Sequence, residues 1–256
     1  MKAKKFKLGD KTVYLHYLAL VGSVAHGLKN SNSDLDLKGV FSWDLKDKLS
    51  LEGVKDSLEK SNVNENDWTN FMNDLKKELN LDFNLEDDVT FMEVNKFFLK
   101  ALLNDLNLLD LLHAEKVFFV SEEFQLVLNN KDLFLNFKKA YFKFRGLANG
   151  AYKEAKRRLK NGDKRGYFKD LARTVHSLFL LEEFLTFKTY SSKLRNNYNL
   201  EYLKKIRLGE VLEEEVLFLR EKKFKDLELF EDSLVDREPD FVKLNKLSFN
   251  CNLVKE

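Results

Sequence analysis

The chain has 256 residues, 44% hydrophobic and 34% charged, with a net charge of only +2, which permits a real core, in two modest domains or one extended one. One cysteine, Cys251, excludes an intrachain disulfide, and the four histidines at 16, 26, 113 and 176 have no zinc-binding spacing. No uncharged run approaches a membrane span and no apolar leader resembles a signal peptide, so the expectation is a soluble, cytoplasmic protein with no membrane contact.

In chain order, the first major strand is expected over roughly 11–21. Its apolar end, Tyr17 to Val21, runs into Gly22-Ser23, and ten residues later comes Ser33-Asp34-Leu35-Asp36-Leu37. Successive side chains of a strand alternate in direction, so Asp34 and Asp36 point to one face and Leu35 and Leu37 to the other, into a core. Two carboxylates held that closely repel each other unless a cation lies between them. Hard oxygen ligands of this kind suit magnesium or manganese. A glycine-serine turn nearby brings backbone N–H groups and a hydroxyl towards a phosphate. Lys38 shares the alternation of the two acids and reads either as a phosphate contact or as a surface lysine.

Residues 59–87 read as a polar insertion around an amphipathic piece, Trp68 to Leu79. Val89 and Phe91 are strand-like, and from Glu93 onward Val94, Phe97, Phe98, Ala101 and Leu102 mark a helix continuing to 112. Val117 to Val120 is a short buried strand that closes the sheet. From about 122 to about 235 the pattern is helical, and the last residues, with Pro239, Phe241, Leu244, Leu247 and Phe249, read as a tail that packs back on a neighbour. The expected organisation is a sheet domain over 1–121, a helical domain over 122–235 and a tail over 236–256.

The joined pattern of Gly22-Ser23-Val24-Ala25-His26-Gly27 and Ser33-Asp34-Leu35-Asp36-Leu37-Lys38-Gly39-Val40 resembles the signature of the nucleotidyltransferase superfamily typified by DNA polymerase beta. It is similar in particular to the branch described as the RNA-repair-pathway DNA polymerase beta family. The resemblance implies an α+β fold, with a nucleotidyltransferase-type mixed β-sheet and flanking helices followed by a helical C-terminal domain. It also implies a third carboxylate on a neighbouring strand. Asp88, at the start of a strand leading into a helix with Lys96-Phe97, matches that landmark; Asp87 and Glu93 are its rivals. By the same resemblance Asp34 and Asp36 would hold a metal gripping the triphosphate of an incoming NTP, and Asp36 and Asp88 a second metal beside the acceptor hydroxyl. Mg2+ or Mn2+ would serve in this two-metal site. Ser23 would contact the β- or γ-phosphate, with Gly22 allowing close approach, and His26 is read as structural.

Charge is distributed unevenly. From Lys138 to Arg173 there are thirteen Lys or Arg against three Asp or Glu, a net of about +10, leaving about −8 for the remaining residues. Lys153, Lys156, Arg157, Lys160 and Lys164 are expected on one side of a helix that stops at Asn161-Gly162, and Arg165, Lys169, Arg173 and His176 in a stripe on the next. Such a face attracts phosphates, and Phe142, Phe144, Tyr152 and Tyr167 are candidates for base stacking. Lys169 and Arg173 join Gly22, Ser23 and Lys38 as candidate nucleotide contacts. Lys169 fits the family's helical half as it stands, whereas Arg173 and His176 are exchanged relative to its pattern. The leading expectation is a transferase moving a nucleoside monophosphate from an NTP to a hydroxyl, with a nucleic acid end, RNA above all, as partner through the basic 138–173 face. The competing expectations are adenylylation of a partner protein and a non-catalytic nucleotide- or nucleic-acid-binding module.

Overall fold

The computed structural model describes residues 1–29, 35–82 and 88–253. Strands β1 (Lys4–Leu8) and β2 (Lys11–Val21) form a tight hairpin. β2 is buried along nearly its whole length, as expected of a strand covered on both faces. A register shift between Leu15 and Tyr17 moves one face's side chains from Val13 and Leu15 to Leu18 and Leu20. Tyr17, Ala19 and Val21 are thereby turned to the other face. A single helical turn, α1 (Gly22–Ala25), follows directly.

β3 (Asp36–Trp43) pairs antiparallel with β2 and leads through α2 (Leu45–Lys48) to the short β4 (Ser57–Leu58). Helix α3 (Glu65–Leu79) starts at Asn64, whose side chain accepts from the Asn66 and Asp67 N–H groups, and ends at Asn80 in the left-handed conformation. Trp68, Phe71, Met72 and Leu75 form its buried stripe and pack with Phe6, Phe41 and Phe91 beneath the sheet. The segment that reads in sequence as an insertion therefore supplies the helix covering one face of the sheet; each such side chain contributes roughly 1.5–3 kcal/mol by its burial.

β5 (Asp88–Glu93) lies parallel to β3, giving the order β1-β2-β3-β5-β4. β6 (Val117–Val120) pairs with β2 beyond the end of β1, so both share the edge that β3 leaves open. The expected helix from 93 to 112 is two helices, α4 (Val94–Leu102) and α5 (Leu106–Leu112). Between them Asn104 takes a left-handed conformation, its side chain donating to the Phe134 carbonyl and accepting from the Asn136 N–H, and Asp105 caps α5.

After α6 (Glu122–Leu128) and a 3-10 turn (Lys131–Phe134) come two long helices, α7 (Phe137–Lys160) and α8 (Lys164–Phe187), then α9 (Asn197–Leu208), α10 (Glu213–Glu231) and α11 (Phe241–Asn252). Lys164 begins α8 rather than continuing the basic side of α7. Helices α7 to α10 enclose one core, including Tyr141, Phe144, Leu178 and Phe184. Phe124 and Val127 of α6 and Leu244, Leu247 and Cys251 of α11 instead join the second face of the sheet. Packing thus carries the sheet unit past residue 121 and draws the tail helix into it. No helix among the described residues is long and apolar enough to cross a membrane.

Candidate active site

Asp36 opens β3 and Asp88 opens β5, and the two are direct partners in the parallel register. Neighbours in register on adjacent strands share a face, so the carboxylates lie together on the side that also carries Lys38. Burial and the like charge of Asp88 push the Asp36 carboxyl above its ordinary value, while the Ser23 N–H, Lys38 and Lys169 pull the other way. Asp88 is exposed. Glu93, its rival, caps α4 by accepting from the Asn95 and Lys96 N–H groups and receives Lys48 Nζ at 2.6 Å, and is thereby committed to the scaffold. Asp34 and Asp87 lie outside the described residues. Among the described residues no third metal-ligating side chain converges on Asp36 and Asp88.

Gly22 has φ +71°, and a Cβ there would overlap Asp36, 2.6 Å from its Cγ. Only glycine lets the carboxylate come so close to the turn and take the Ser23 N–H. The turn is then held from three directions. His26 Nε2 is 3.1 Å from Asp110 of α5, and both side chains are buried. The His26 ring meets that of His176 on α8 edge to face, with centroids 4.7 Å apart. Arg207 of α9 donates to the Leu28 carbonyl at 2.7 Å.

Asp110 also accepts a short hydrogen bond from the Tyr190 hydroxyl. Burial alone would lower the His26 pKa, but the charge and hydrogen bond of Asp110 override it and hold the imidazole above its ordinary value. His176, buried beside His26, Arg207 and Arg173, is held well below its own. Lys38 stands among Asp110, Asp105, Asp36 and Asp88, and burial lowers its pKa against their combined pull.

The structure therefore brings Gly22, Ser23, Asp36, Lys38 and Asp88 together and adds Lys169 from α8, whose charge acts on Asp36. Arg173 follows Lys169 by one turn on the same exposed stripe, and its charge acts on His176. Sequence reasoning missed Asp110, Tyr190 and Arg207. For Asp110 a signal existed, one acid in the otherwise apolar run Leu108 to Leu112. Tyr190 gave none, since its partner is far away in the chain, and Arg207 was visible only as part of the stretch Leu203 to Glu210, which resembles the family's helical half.

The basic stretch is less uniform in space than in sequence. Arg145 pairs with Glu228 and Glu231, Arg157 with Glu154, and Arg158 with Glu154, Asp163 and Asp170. Among the described residues no such pair involves Lys143, Lys153, Lys160, Lys169 or Arg173. Of the candidate stacking aromatics, Phe144 and Tyr167 belong to the core, Tyr152 carries Lys156 and Arg220 over its ring, and Phe142 is exposed.

A comparison with protein families matches residues 5–190 to the family described as RNA repair pathway DNA polymerase beta family. No curated protein matches the chain significantly. The match spans the sheet, the glycine turn and the two long helices, and the mixed sheet with its helical C-terminal half has the architecture expected of an α+β nucleotidyltransferase-like fold.

Proposed function

Because this chain belongs to the RNA repair pathway DNA polymerase beta family, we propose that it is a metal-dependent nucleotidyltransferase, moving a nucleoside monophosphate from an NTP to the hydroxyl of an RNA end and releasing pyrophosphate. The observation that carries this reading is the register of Asp36 on Asp88 with the Gly22-Ser23 turn closed against Asp36. Asp36 and Asp88, with Asp34 two residues earlier in the chain, are the residues that would hold Mg2+ or Mn2+. The donor set fits: two carboxylates on one face, one of them raised by burial and by the charge of the other, are relieved by a divalent cation. Bound there, such a cation supplies charge neutralisation at the phosphates and acidifies the acceptor hydroxyl.

The chain's own residues do the remaining work. Asp88, exposed at the start of its strand, accepts the proton of the acceptor hydroxyl. That oxygen bonds to the α-phosphorus, and the α–β bridging oxygen departs with its electron pair in pyrophosphate. The turn that Gly22 makes beside Asp36 carries the Ser23 hydroxyl, which contacts the phosphate oxygens. Lys38 and Lys169, already in the field of Asp36, offset the charge of the triphosphate. The surplus of positive charge on α7 and α8 favours a polyanionic acceptor.

The test incubates the purified chain with each α-phosphate-labelled NTP, Mg2+ or Mn2+ and a pool of small RNAs, beside Asp36→Asn. Label entering RNA with the wild type only is the expected result and names the base. Label entering protein instead would point to adenylylation of a partner, and no transfer with retained nucleotide binding to a non-catalytic module.

A further inference from the structure

Gly146 and Gly150 differ from every other glycine of the chain. Six of the ten have a left-handed φ, and at two of the remaining four, Gly39 and Gly166, an added Cβ would strike a neighbouring side chain. Gly146 and Gly150 have neither property: a Cβ at either would meet nothing within 4 Å. They lie one turn apart inside the 24-residue helix α7, where glycine is the least favourable residue short of proline. Neither backbone conformation nor helix packing accounts for them.

Both glycines line a groove of about 420 Å³ between α7 and α8, together with Phe142, Lys143, Asp170 and Arg173. This volume is within the range of small-ligand sites. Phe142 is 53% exposed, an unusual setting for a phenylalanine. Asp170 is 95% buried, and its Oδ2 has no hydrogen bond in line, although Arg158 Nε stands 2.7 Å away. Among the described residues no carboxylate pairs with Arg173. A bare backbone floor admits a flat ring closely. The aromatic face and the guanidinium stack on such a ring, while Asp170 is held by Arg158 and shapes the groove wall. Arg173 stands one helical turn from Lys169, whose charge acts on Asp36, so α8 contributes both to the groove and to the surroundings of Asp36.

We propose that the α7–α8 groove is a nucleobase-binding subsite for the substrates of the transfer centre, an inference that rests on the reading of Asp36 and Asp88 given above. The base belongs to the incoming NTP or to the acceptor strand, and the chemistry of the groove is the same for both. Gly150→Leu places a side chain on the floor where its Cβ meets nothing within 4 Å and replaces a poor helix former with a good one, so it is expected to fold and to melt no lower than the wild type, which thermal denaturation checks. With the full chain and Mg2+, fluorescence anisotropy of a labelled single-stranded oligoribonucleotide and displacement by each NTP read the two arms.

Gly150→Leu is expected to weaken one probe by about tenfold or more, the scale of one lost base stack, and Phe142→Ala to weaken the same probe. Loss confined to NTP assigns the groove to the incoming base; loss confined to the oligoribonucleotide assigns it to the acceptor. Unchanged affinity for both in the folded variant overturns the proposal, as does a wild type that binds neither. The wild-type transfer assay separates the two readings: if groove variants weaken binding while the wild type transfers nothing, the subsite stands and the transferase reading fails.

Discussion

Asp110 and Asp36 are both carboxylates drawn into the junction between sheet and helices, yet the fold surrounds them differently. Asp110 is matched from within the chain, by His26 at 3.1 Å and by the Tyr190 hydroxyl. Asp36 faces a second carboxylate, Asp88, with one backbone N–H and two lysines acting against their combined charge. A buried acid with its own counter-charge belongs to the scaffold, since removing either partner strands the other. Paired acids that face each other repel unless a cation lies between them, which is the role the proposal gives to Mg2+ or Mn2+.

The largest effect expected from this contrast is on catalysis at the open pair. Asp36→Asn should lower nucleotidyl transfer by about a thousandfold or more, the scale of losing a metal ligand worth several kcal/mol. Its melting temperature should stay equal or rise, because the repulsion from Asp88 is gone. A variant that retains transfer, or loses it only by unfolding, would break the assignment. Asp110→Ala should do the reverse and destabilise the fold by about 3–5 kcal/mol in urea denaturation, as expected when one member of a buried ion pair is removed. Asp110→Asn, which can still accept from Tyr190, should cost less.

Gly22→Ala joins the two regions. It forces a side chain into a left-handed backbone against the Asp36 carboxylate, so about 1–3 kcal/mol of stability and most of the transfer activity should be lost together. If stability falls while activity holds, the closeness of the turn to Asp36 is not needed for chemistry.

At neutral pH the smallest differences are those in pH dependence, which grow only away from neutrality and run in opposite directions. His26 has a raised folded pKa, so its contribution is complete below the unfolded value of about 6.5 and is lost as pH rises through the folded one. His16, between the Ser42 and Ser121 hydroxyls, and His113 are pushed down to about 4 by burial. Their stabilisation is complete above the unfolded value and declines as pH falls from about 6.5 to about 4, by up to about 1.4 kcal/mol per pH unit each. His16→Asn should flatten the acid limb of a stability-against-pH series, and Asp110→Asn the alkaline limb. Limbs unchanged in these variants would place the titrating groups elsewhere.

Much of the centre was legible because it is local. The strand ending at Val21, the glycine that follows it, and the acid opening β3 are set by alternation and turn chemistry over a few residues. Asp88 was singled out by the family's landmark before the strand-like Val89 and Phe91, with Asp87 left as a rival by spacing alone. The amphipathic stripe from Trp68 to Leu75 was visible too, but its spacing does not say what it covers, and only the packing against Phe6, Phe41 and Phe91 makes it core. The break at Asn104 was hidden because its apolar neighbours continue a helical period, while its side chain is engaged by Phe134 and Asn136 from beyond the next strand.

By itself the sequence determined the succession of strands and helices, the glycine turn, the acids that open two of the strands and the surplus of basic residues on the long helices. All of these follow from periodicity and residue type within a short window. Tertiary structure alone decided that Asp36 pairs with Asp88 in register, that Lys169 is close enough to act on them, that His26 closes on Asp110, and that three arginines of the basic stretch are neutralised by carboxylates. Each of those depends on side chains from separate elements meeting when apolar faces pack, and such meetings leave no local pattern in the chain.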